Sequence, residues 1–184
     1  MRAREMTAAD IEAVSELRVR GWQSAYAGLM PHSYLSAMSV DEDAARRRTL
    51  FEAAAAGNDS TVSNLVAEST DGKVTGWAAL GPYRPRGPHG QGEPLDGAEL
   101  YALYVLPGLI GSGIGRVLMT ACLERASERG FTRANLWVVK GNTRARRFYE
   151  RAGFTLDGAE ATHTVEGTPV PMVNYARALV RDAV

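Results

Sequence analysis

The segment that decides the fold is LPGLIGSGIGR, residues 106–116. A run rich in Leu, Tyr and Val precedes it and predicts a β-strand over 99–106. Apolar residues at helical spacing follow it and predict a helix over 113–129. Glycines permit a tight turn and a close approach of the backbone to a ligand, and free N–H groups at a helix N-terminus attract anions. The segment therefore predicts either a phosphate-binding loop or a tight turn that binds nothing, and these residues alone leave both open.

Two common nucleotide-binding motifs are excluded by the residues of this segment. The dinucleotide motif G-x-G-x-x-G fails from either starting glycine, because its third glycine falls on Arg116 or on Leu118. The P-loop requires Lys and then Ser or Thr after its last glycine, but Gly115 is followed by Arg116 and Val117. An anion bound here is therefore held by neither of these motifs.

The rest of the chain alternates between helical and strand patterns. Asp71-Gly72 predicts a hairpin, and the prolines and glycines of 82–97 predict a loop or an insertion. Strands are expected over 2–6, 61–69, 73–80, 99–106, 132–139, 154–165 and 169–179, and helices over 8–25, 32–38, 39–56, 113–129 and 142–152.

This order predicts an α+β fold with a mixed, mostly antiparallel central sheet and helices on both faces. The helix over 113–129 joins two strands that should lie parallel, through a right-handed crossover. Pro169 and Pro171 are expected to move the strand over 169–179 towards an edge of the sheet. The 184 residues should form a single domain, because two domains would each fall below the common size.

Charge and cysteine content exclude several classes of protein. The 21 basic and 21 acidic residues cancel, so neither a nucleic acid nor a membrane surface is expected as a partner. No apolar run is long enough to span a membrane and no signal peptide is visible, which predicts a cytoplasmic protein. Cys122 is the single cysteine and the three histidines lack metal-binding spacing, so no metal site is expected.

A second motif follows the glycine segment. It reads N-x-x-A-x-x-F-Y-x-x-x-G-F over residues 142–154. Together with Gly113 and Gly115, it resembles the GCN5-related N-acetyltransferases (the GNAT family), whose loop reads R/Q-x-x-G-x-G/A between a strand and a helix. Ile110 departs from the Arg or Gln that is usual there. Because the family's contacts in this loop are largely made by backbone N–H groups, coenzyme binding is expected to survive the departure.

The resemblance implies acetyl-CoA as the co-substrate. In the family, the strand before the glycine loop and the strand after its helix splay apart, and the pantetheine arm lies in the gap. By position, the pantetheine arm would pair with the backbone of Leu103, Tyr104 and Val105, and the Leu103 N–H would polarise the thioester carbonyl. The coenzyme-binding set is completed by Asn142, which also caps its helix, and by the loop residues Ile110, Gly111, Ser112, Gly113, Ile114, Gly115 and Arg116, which would hold the pyrophosphate.

Two catalytic residues follow from the same resemblance. Glu99 aligns with the family glutamate that acts as general base, and its alternative role is that of a carboxylate at a strand end. Asp96 is a weaker substitute for that base. Tyr149 matches the family tyrosine that protonates the leaving thiolate, and its alternative role is packing.

The function expected from these residues is acetyl-CoA-dependent transfer to a primary amine, directly within a ternary complex. Alternatives are an acyl-CoA-binding regulatory or scaffold module without turnover, and transfer of a different acyl chain. The acceptor is a small molecule or a peptide, and family habit favours a homodimer. Trp22, Tyr26 and Tyr34 are interpreted mainly as packing residues, although the family builds its acceptor pocket from this helical region.

Overall fold

The computed structural model describes residues 1–55, 61–84 and 97–179. Its strands are β1 (Arg2–Glu5), β2 (Ser63–Glu68), β3 (Val74–Pro82), β4 (Ala98–Val105), β5 (Arg133–Val139), β6 (Thr155–Val165) and β7 (Thr168–Ala178). The predicted loop over 82–97, apart from its two ends, and Asp96 within it lie outside the described residues. The order of the strands along the chain agrees with the prediction.

In the described segments, five α-helices and two short 3₁₀ turns join the strands. The helices are α1 (Ile11–Ala25), α2 (His32–Ser36), α3 (Val40–Ala55), α4 (Ile114–Glu128) and α5 (Thr143–Arg151), and the 3₁₀ turns cover Ala8–Asp10 and Pro107–Leu109. The first predicted helix is thus a 3₁₀ turn that leads into α1. Within the described ranges, no helix combines the length and the apolar character needed to cross a membrane.

The strands form one seven-stranded sheet in the order β1-β2-β3-β4-β5-β7-β6. Among the described strands, β4 and β5 make the one parallel pair, and α4 is the crossover between them. The remaining neighbours are antiparallel. The predicted α+β class and the mixed, mostly antiparallel sheet are therefore confirmed.

Each face of the sheet carries its own apolar core. On one face, α4 buries Ile114, Leu118 and Cys122, which recur every four residues, and α5 packs beside it. On the other face, α1 buries Val14 and Leu17 against β2 and β3. Each large apolar side chain buried in this way contributes about 1.5–3 kcal/mol. The helices are therefore fixed against the sheet mainly by these two stripes.

The position of β7 differs from the prediction. This strand was expected near an edge because of Pro169 and Pro171, but it lies between β5 and β6, and β6 is the edge strand. The ladder between β5 and β7 ends at the pair Val139 and Met172. Both prolines lie beyond that pair, where β7 has β6 as its described neighbour. The missing proline N–H groups therefore cost no ladder bond to β5, which is why an inner strand tolerates them.

Candidate functional site

The strands β4 and β5 are joined only where they begin. Their ladder contains two pairs, Ala98 with Ala134 and Glu99 with Asn135. Beyond Glu99, β4 continues to pair with β3, and β5 continues to pair with β7. The edge of β4 that faces β5 therefore has no strand partner in the described chain from Leu100 onwards. This edge can accept an extended ligand by backbone hydrogen bonding.

A turn with free backbone N–H groups lies at the open end of this gap. Gly111 and Gly113 adopt φ angles of 95° and 93°, a region that favours glycine, and Gly113 is the N-cap of α4. In residues 111–116, the described hydrogen bonds use only the N–H groups of Ser112 and Arg116. That leaves, within the described structure, the N–H groups of Gly111, Gly113, Ile114 and Gly115 for a ligand. Such N–H groups at the start of a helix, together with the helix dipole of α4, can bind an anion.

The predicted coenzyme-binding residues lie around this turn and along β4. Leu103 and Val105 pack towards α4, whereas Tyr104 packs towards α1. Ile114 is buried in the core, so only its backbone is available to a ligand, and Ile110 is 45% exposed. The exposed Ile110 therefore offers an apolar surface beside the turn in place of a charged side chain.

Asn142 and Tyr149 lie at the two ends of α5. The Asn142 Oδ1 accepts a hydrogen bond of 3.1 Å from the Ala145 N–H, so the predicted cap is present. The Tyr149 ring packs edge-on against Phe148 and Phe154. Burial, and secondarily the nearby Tyr26 hydroxyl, raise the pKa of Tyr149 well above its usual value. The Tyr149 hydroxyl therefore keeps its proton across the physiological pH range.

Glu99 lies at the closed end of the gap. Its side chain is 1% exposed, and its Oε2 accepts a hydrogen bond of 2.9 Å from the Arg84 N–H. The Arg84 guanidinium lies 3.6 Å from the other carboxylate oxygen and stacks on the Tyr101 ring. Leu103 is four positions further along β4 than Glu99, a distance of about 13 Å. A proton released beside Leu103 would have to cover this distance to reach Glu99.

Two tyrosine hydroxyls that the motifs did not assign lie beside the gap. The hydroxyls of Tyr104 and Tyr26 are 3.3 Å apart, and the Tyr104 ring stacks on Trp77. Burial first, and then Tyr26, raise the pKa of Tyr104 well above its usual value. The alternation of side chains along β4 could have indicated that the Tyr104 side chain lies on the face opposite to Leu103. The prediction used only the backbone of Tyr104.

A cluster of charged side chains between α1 and α3 also escaped prediction. Asp43 has a side chain only 5% exposed, and it receives hydrogen bonds from Arg18 at 2.7 Å, Arg46 at 3.1 Å and Arg47 at 2.7 Å. Burial alone would raise the pKa of Asp43, but the charges of Arg47 and Arg18 outweigh it and hold the pKa below its usual value. Asp43 is therefore ionised at neutral pH.

Aromatic rings connect this cluster to the two tyrosines. The Arg18 guanidinium lies 5.0 Å from the centre of the Trp22 ring, and Trp22 contacts Tyr26 edge-on. On the other side, the Arg47 guanidinium lies 4.2 Å from the centre of the Trp77 ring. Trp22 and Tyr26 therefore pack against neighbouring side chains, and these contacts connect the charged cluster to the pair of tyrosine hydroxyls.

A groove of about 400 Å³ opens over the charged cluster. Its lining comes from α1, from α2 and the connection that follows it, and from α3. The lining includes Arg18, Tyr34, Glu42, Asp43, Arg46 and Arg47.

Comparison with known proteins gives a consistent family. The profile of the Acetyltransferase (GNAT) family matches residues 22–154. The chain is 30% identical to the uncharacterized N-acetyltransferase YuaI of Bacillus subtilis over 141 residues, which cover 76% of this chain and 72% of that protein. Uncharacterized N-acetyltransferases from Mycobacterium bovis and Mycobacterium tuberculosis are 38% identical over 88 residues, which cover 48% of this chain and 50% of those proteins.

Solved structures show the same fold. A ribosomal-protein-alanine N-acetyltransferase from Brucella melitensis superposes with a TM-score of 0.74 at 23% identity, covering 97% of this chain and 100% of that chain. The putative acetyltransferase yncA from Salmonella typhimurium, solved with its cofactor acetyl-CoA, gives 0.72 at 22% identity, covering 100% and 96%. With the family profile matching well over half of its length, the chain belongs to the GNAT family of acetyltransferases.

Proposed function

We propose that this protein is an N-acetyltransferase that moves an acetyl group from acetyl-CoA to a primary amine. The observation that carries the proposal is the gap between β4 and β5, which ends at four N–H groups of the glycine turn that have no partner in the described part of the chain. An extended amide-containing arm suits the unpaired edge of β4, and a pyrophosphate suits the N–H groups at the start of α4. The yncA structure, which holds acetyl-CoA on the same fold, supports this assignment.

In the proposed reaction, the acceptor amine attacks the thioester carbonyl directly. A C–N bond forms and the C–S bond breaks, while the carbonyl oxygen is stabilised by the Leu103 N–H. The amine proton passes through water to Glu99, and Tyr149 gives its proton to the departing thiolate. The two residues then exchange protons with solvent.

The surroundings of Cys122 favour direct transfer over an acetylated enzyme. Its side chain is buried in the core, and burial raises the pKa of the thiol to about 12. A buried protonated thiol is a poor nucleophile. Trapping of an acetyl group on Cys122 during turnover would contradict this mechanism.

The first experiment follows thiol release from acetyl-CoA by the purified protein. The acceptor panel contains polyamines, aminoglycosides, amino acids and short peptides, with a control that lacks an acceptor. Acceptor-dependent release of CoA supports the proposal. Tight binding of acetyl-CoA without turnover on any acceptor would instead support an acyl-CoA-binding module, and binding of a longer acyl-CoA in preference would indicate another acyl chain.

The role of Glu99 needs its own control. Glu99→Gln is expected to lower kcat by about 100-fold or more while leaving acetyl-CoA affinity unchanged. Arg84→Gln removes the guanidinium beside Glu99 but keeps the backbone N–H that binds it. If Glu99 only anchored Arg84, both variants would lose the same activity. A much larger loss in Glu99→Gln indicates the base.

A homodimer formed through the final hairpin stays a prediction. The strand β6 is the edge of the sheet, and its side chains are largely exposed. Its pairing with β7 is interrupted between Leu156 and Glu160. Such an irregularity weakens edge-to-edge pairing, so the face of the hairpin is the more suitable contact surface. Sedimentation of the purified protein at several concentrations tests this prediction.

A further inference from the structure

We infer that Arg144, in the first turn of α5, binds the 3′-phosphate of coenzyme A, so that the protein selects this coenzyme over its 3′-dephospho form. This inference rests on the proposed function, because it extends the coenzyme site from the glycine turn to α5. Coenzyme A carries a diphosphate within its chain and a separate phosphate on the ribose. The diphosphate suits the N–H groups of the glycine turn, so the second phosphate needs another positive group nearby.

The first turn of α4 and the start of α5 are neighbours at the open end of the gap. The helix α4 begins at Ile114, after β4, and α5 begins at Thr143, after β5. Because β4 and β5 are parallel, both helices begin at the same edge of the sheet, and both pack on the same face. A Cβ added at Gly115 would lie 3.3 Å from the Phe148 ring, so the second turn of α5 contacts the first turn of α4. A ligand on the glycine turn is therefore next to α5.

Helix geometry places Arg144 on the side of α5 that faces α4. Phe148 marks this flank, and Arg144 precedes it by four residues, which puts the two side chains on the same side of the helix. The opposite flank faces β7, where the Tyr175 hydroxyl accepts a hydrogen bond from Arg146 and donates one to Glu150. Arg144 is also about 6 Å closer to the start of α5 than Phe148. It therefore lies level with the glycine turn.

The described protein does not neutralise the positive charge of Arg144. Arg144 and Arg116 are exposed, and within the described residues neither side chain forms an ion pair or a hydrogen bond. The first turns of α4 and α5 contain no acidic residue. A cation in the first turn of a helix is unfavourable because of the helix dipole, and a bound anion would reverse this effect. The two arginines thus add positive charge where an anionic ligand is expected.

The two arginines suit different phosphates. Arg116 is the only charged residue of the segment 106–116, so it is the arginine that accompanies the diphosphate on the turn. Arg144 comes from the neighbouring helix and reaches the same region from outside the turn. In coenzyme A the ribose keeps the 3′-phosphate within a few bonds of the diphosphate. A guanidinium suits this phosphate because it donates two parallel hydrogen bonds to its oxygens.

The first arm of the test compares two ligands on the unmodified protein by titration calorimetry. CoA and 3′-dephospho-CoA share the pantetheine arm, the diphosphate and the adenosine, and they differ only in the 3′-phosphate. We expect CoA to bind about 10- to 100-fold more tightly, the usual range for a hydrogen-bonded charge. Equal affinities, or tighter binding of the dephospho form, would overturn the inference.

The second arm uses three arginine variants. Arg144→Gln is expected to lower CoA affinity by about tenfold or more and to leave the affinity for 3′-dephospho-CoA unchanged. Arg151→Gln is the matched control, because it removes an exposed arginine from the same flank about 10 Å further along α5, and it should keep the selectivity. Arg116→Gln should weaken both ligands by the same factor, because both carry the diphosphate. If Arg144→Gln weakens both ligands equally, or weakens neither, the inference is overturned.

Thermal unfolding separates a lost ligand contact from a damaged helix. Arg144→Gln should unfold at the same temperature as the unmodified protein or slightly higher, because it removes an unfavourable interaction with the dipole of α5. A clearly lower unfolding temperature would assign Arg144 to the stability of the helix and would contradict the inference.

The third arm distinguishes the coenzyme from a free nucleotide and the binding site from the reaction. Adenosine 3′,5′-bisphosphate lacks the pantetheine arm and should bind at least about tenfold more weakly than CoA, and equal or tighter binding would overturn the inference. If CoA binds selectively through Arg144 while no amine is acetylated, the phosphate site stands and the proposed transfer fails. If acetyl transfer occurs with equal KM for acetyl-CoA and its 3′-dephospho form, and the two bind equally, the inference alone fails.

Discussion

The hydroxyl of Tyr104 on β4 lies 3.3 Å from the hydroxyl of Tyr26 at the C-terminal end of α1. This contact joins α1 to the strand that carries the proposed acetyl-CoA site. Burial is the main cause that raises the pKa values of Tyr104 and Tyr149, and Tyr26 contributes to both. The three hydroxyls, which come from α1, β4 and α5, therefore influence one another electrostatically.

The coupling between Tyr104 and Tyr26 can be measured as stability. Tyr104→Phe and Tyr26→Phe are each expected to lower the free energy of unfolding by about 1 kcal/mol, because each leaves the other buried hydroxyl without its partner. The double variant should lose less than the sum of the two, since the second substitution removes a group that is already unpaired. Urea unfolding of the four proteins measures this difference. Additive losses would show that the hydroxyls do not interact in solution.

The glycine turn makes a second prediction. Gly113→Ala places a side chain at a φ of 93°, and we expect a loss of about 1–2 kcal/mol in stability together with weaker binding of CoA. Gly108→Ala is the control, because an added Cβ meets nothing within 4 Å and that glycine does not have a positive φ. Thermal unfolding and titration calorimetry with CoA measure the two effects. Unchanged CoA affinity in Gly113→Ala would argue against the turn as the pyrophosphate site.

Local patterns predicted the part of the site that is continuous along the chain. The strand, the glycine turn and α4 follow one another over 98–128, and Asn142 caps the next helix as its spacing indicated. The prediction failed where residues meet only through the fold. Arg18 and Asp43 are 25 residues apart and Tyr26 and Tyr104 are 78 apart, so no periodicity connects them. The inner position of β7 was missed for a related reason. A proline in the sequence shows that one N–H is missing, but it does not show where the neighbouring strand ends.

The N-terminal segment gives a prediction on pH. Arg4 donates two hydrogen bonds to Asp10, and mainly this contact lowers the pKa of Asp10 to about 2. A folded-state pKa below the ordinary value of 3.8 stabilises the protein above that value, and the stabilisation is lost as the pH falls towards 2. The contribution is about 2 kcal/mol. Asp10→Asn should therefore be less stable at neutral pH and lose less stability than the unmodified protein on acidification.

A matched exposed pair provides the control for Asp10. Glu16 is 48% exposed and pairs with Arg20 on the surface of α1. Exposed pairs contribute little, so Glu16→Gln should change the free energy of unfolding by less than about 1 kcal/mol. Chemical denaturation of the three proteins between about pH 6 and about pH 2.5 gives the comparison. An identical pH dependence in the unmodified protein and in Asp10→Asn would show that Asp10 is not the titrating group.

The burial of Tyr149 makes a prediction about the reaction itself. Because burial raises the pKa of this phenol above its usual value, the hydroxyl stays protonated to at least about pH 10. The kcat of the unmodified protein should therefore show no alkaline decline that comes from Tyr149.

Tyr149→Phe is expected to lower kcat by about 100-fold or more at every pH, with CoA affinity and the shape of the pH profile retained. An alkaline decline near neutral pH that disappears in Tyr149→Phe would mean that the hydroxyl titrates in the working range. An unchanged kcat in Tyr149→Phe would mean that the hydroxyl takes no part in the reaction and that Tyr149 only packs against Phe148 and Phe154.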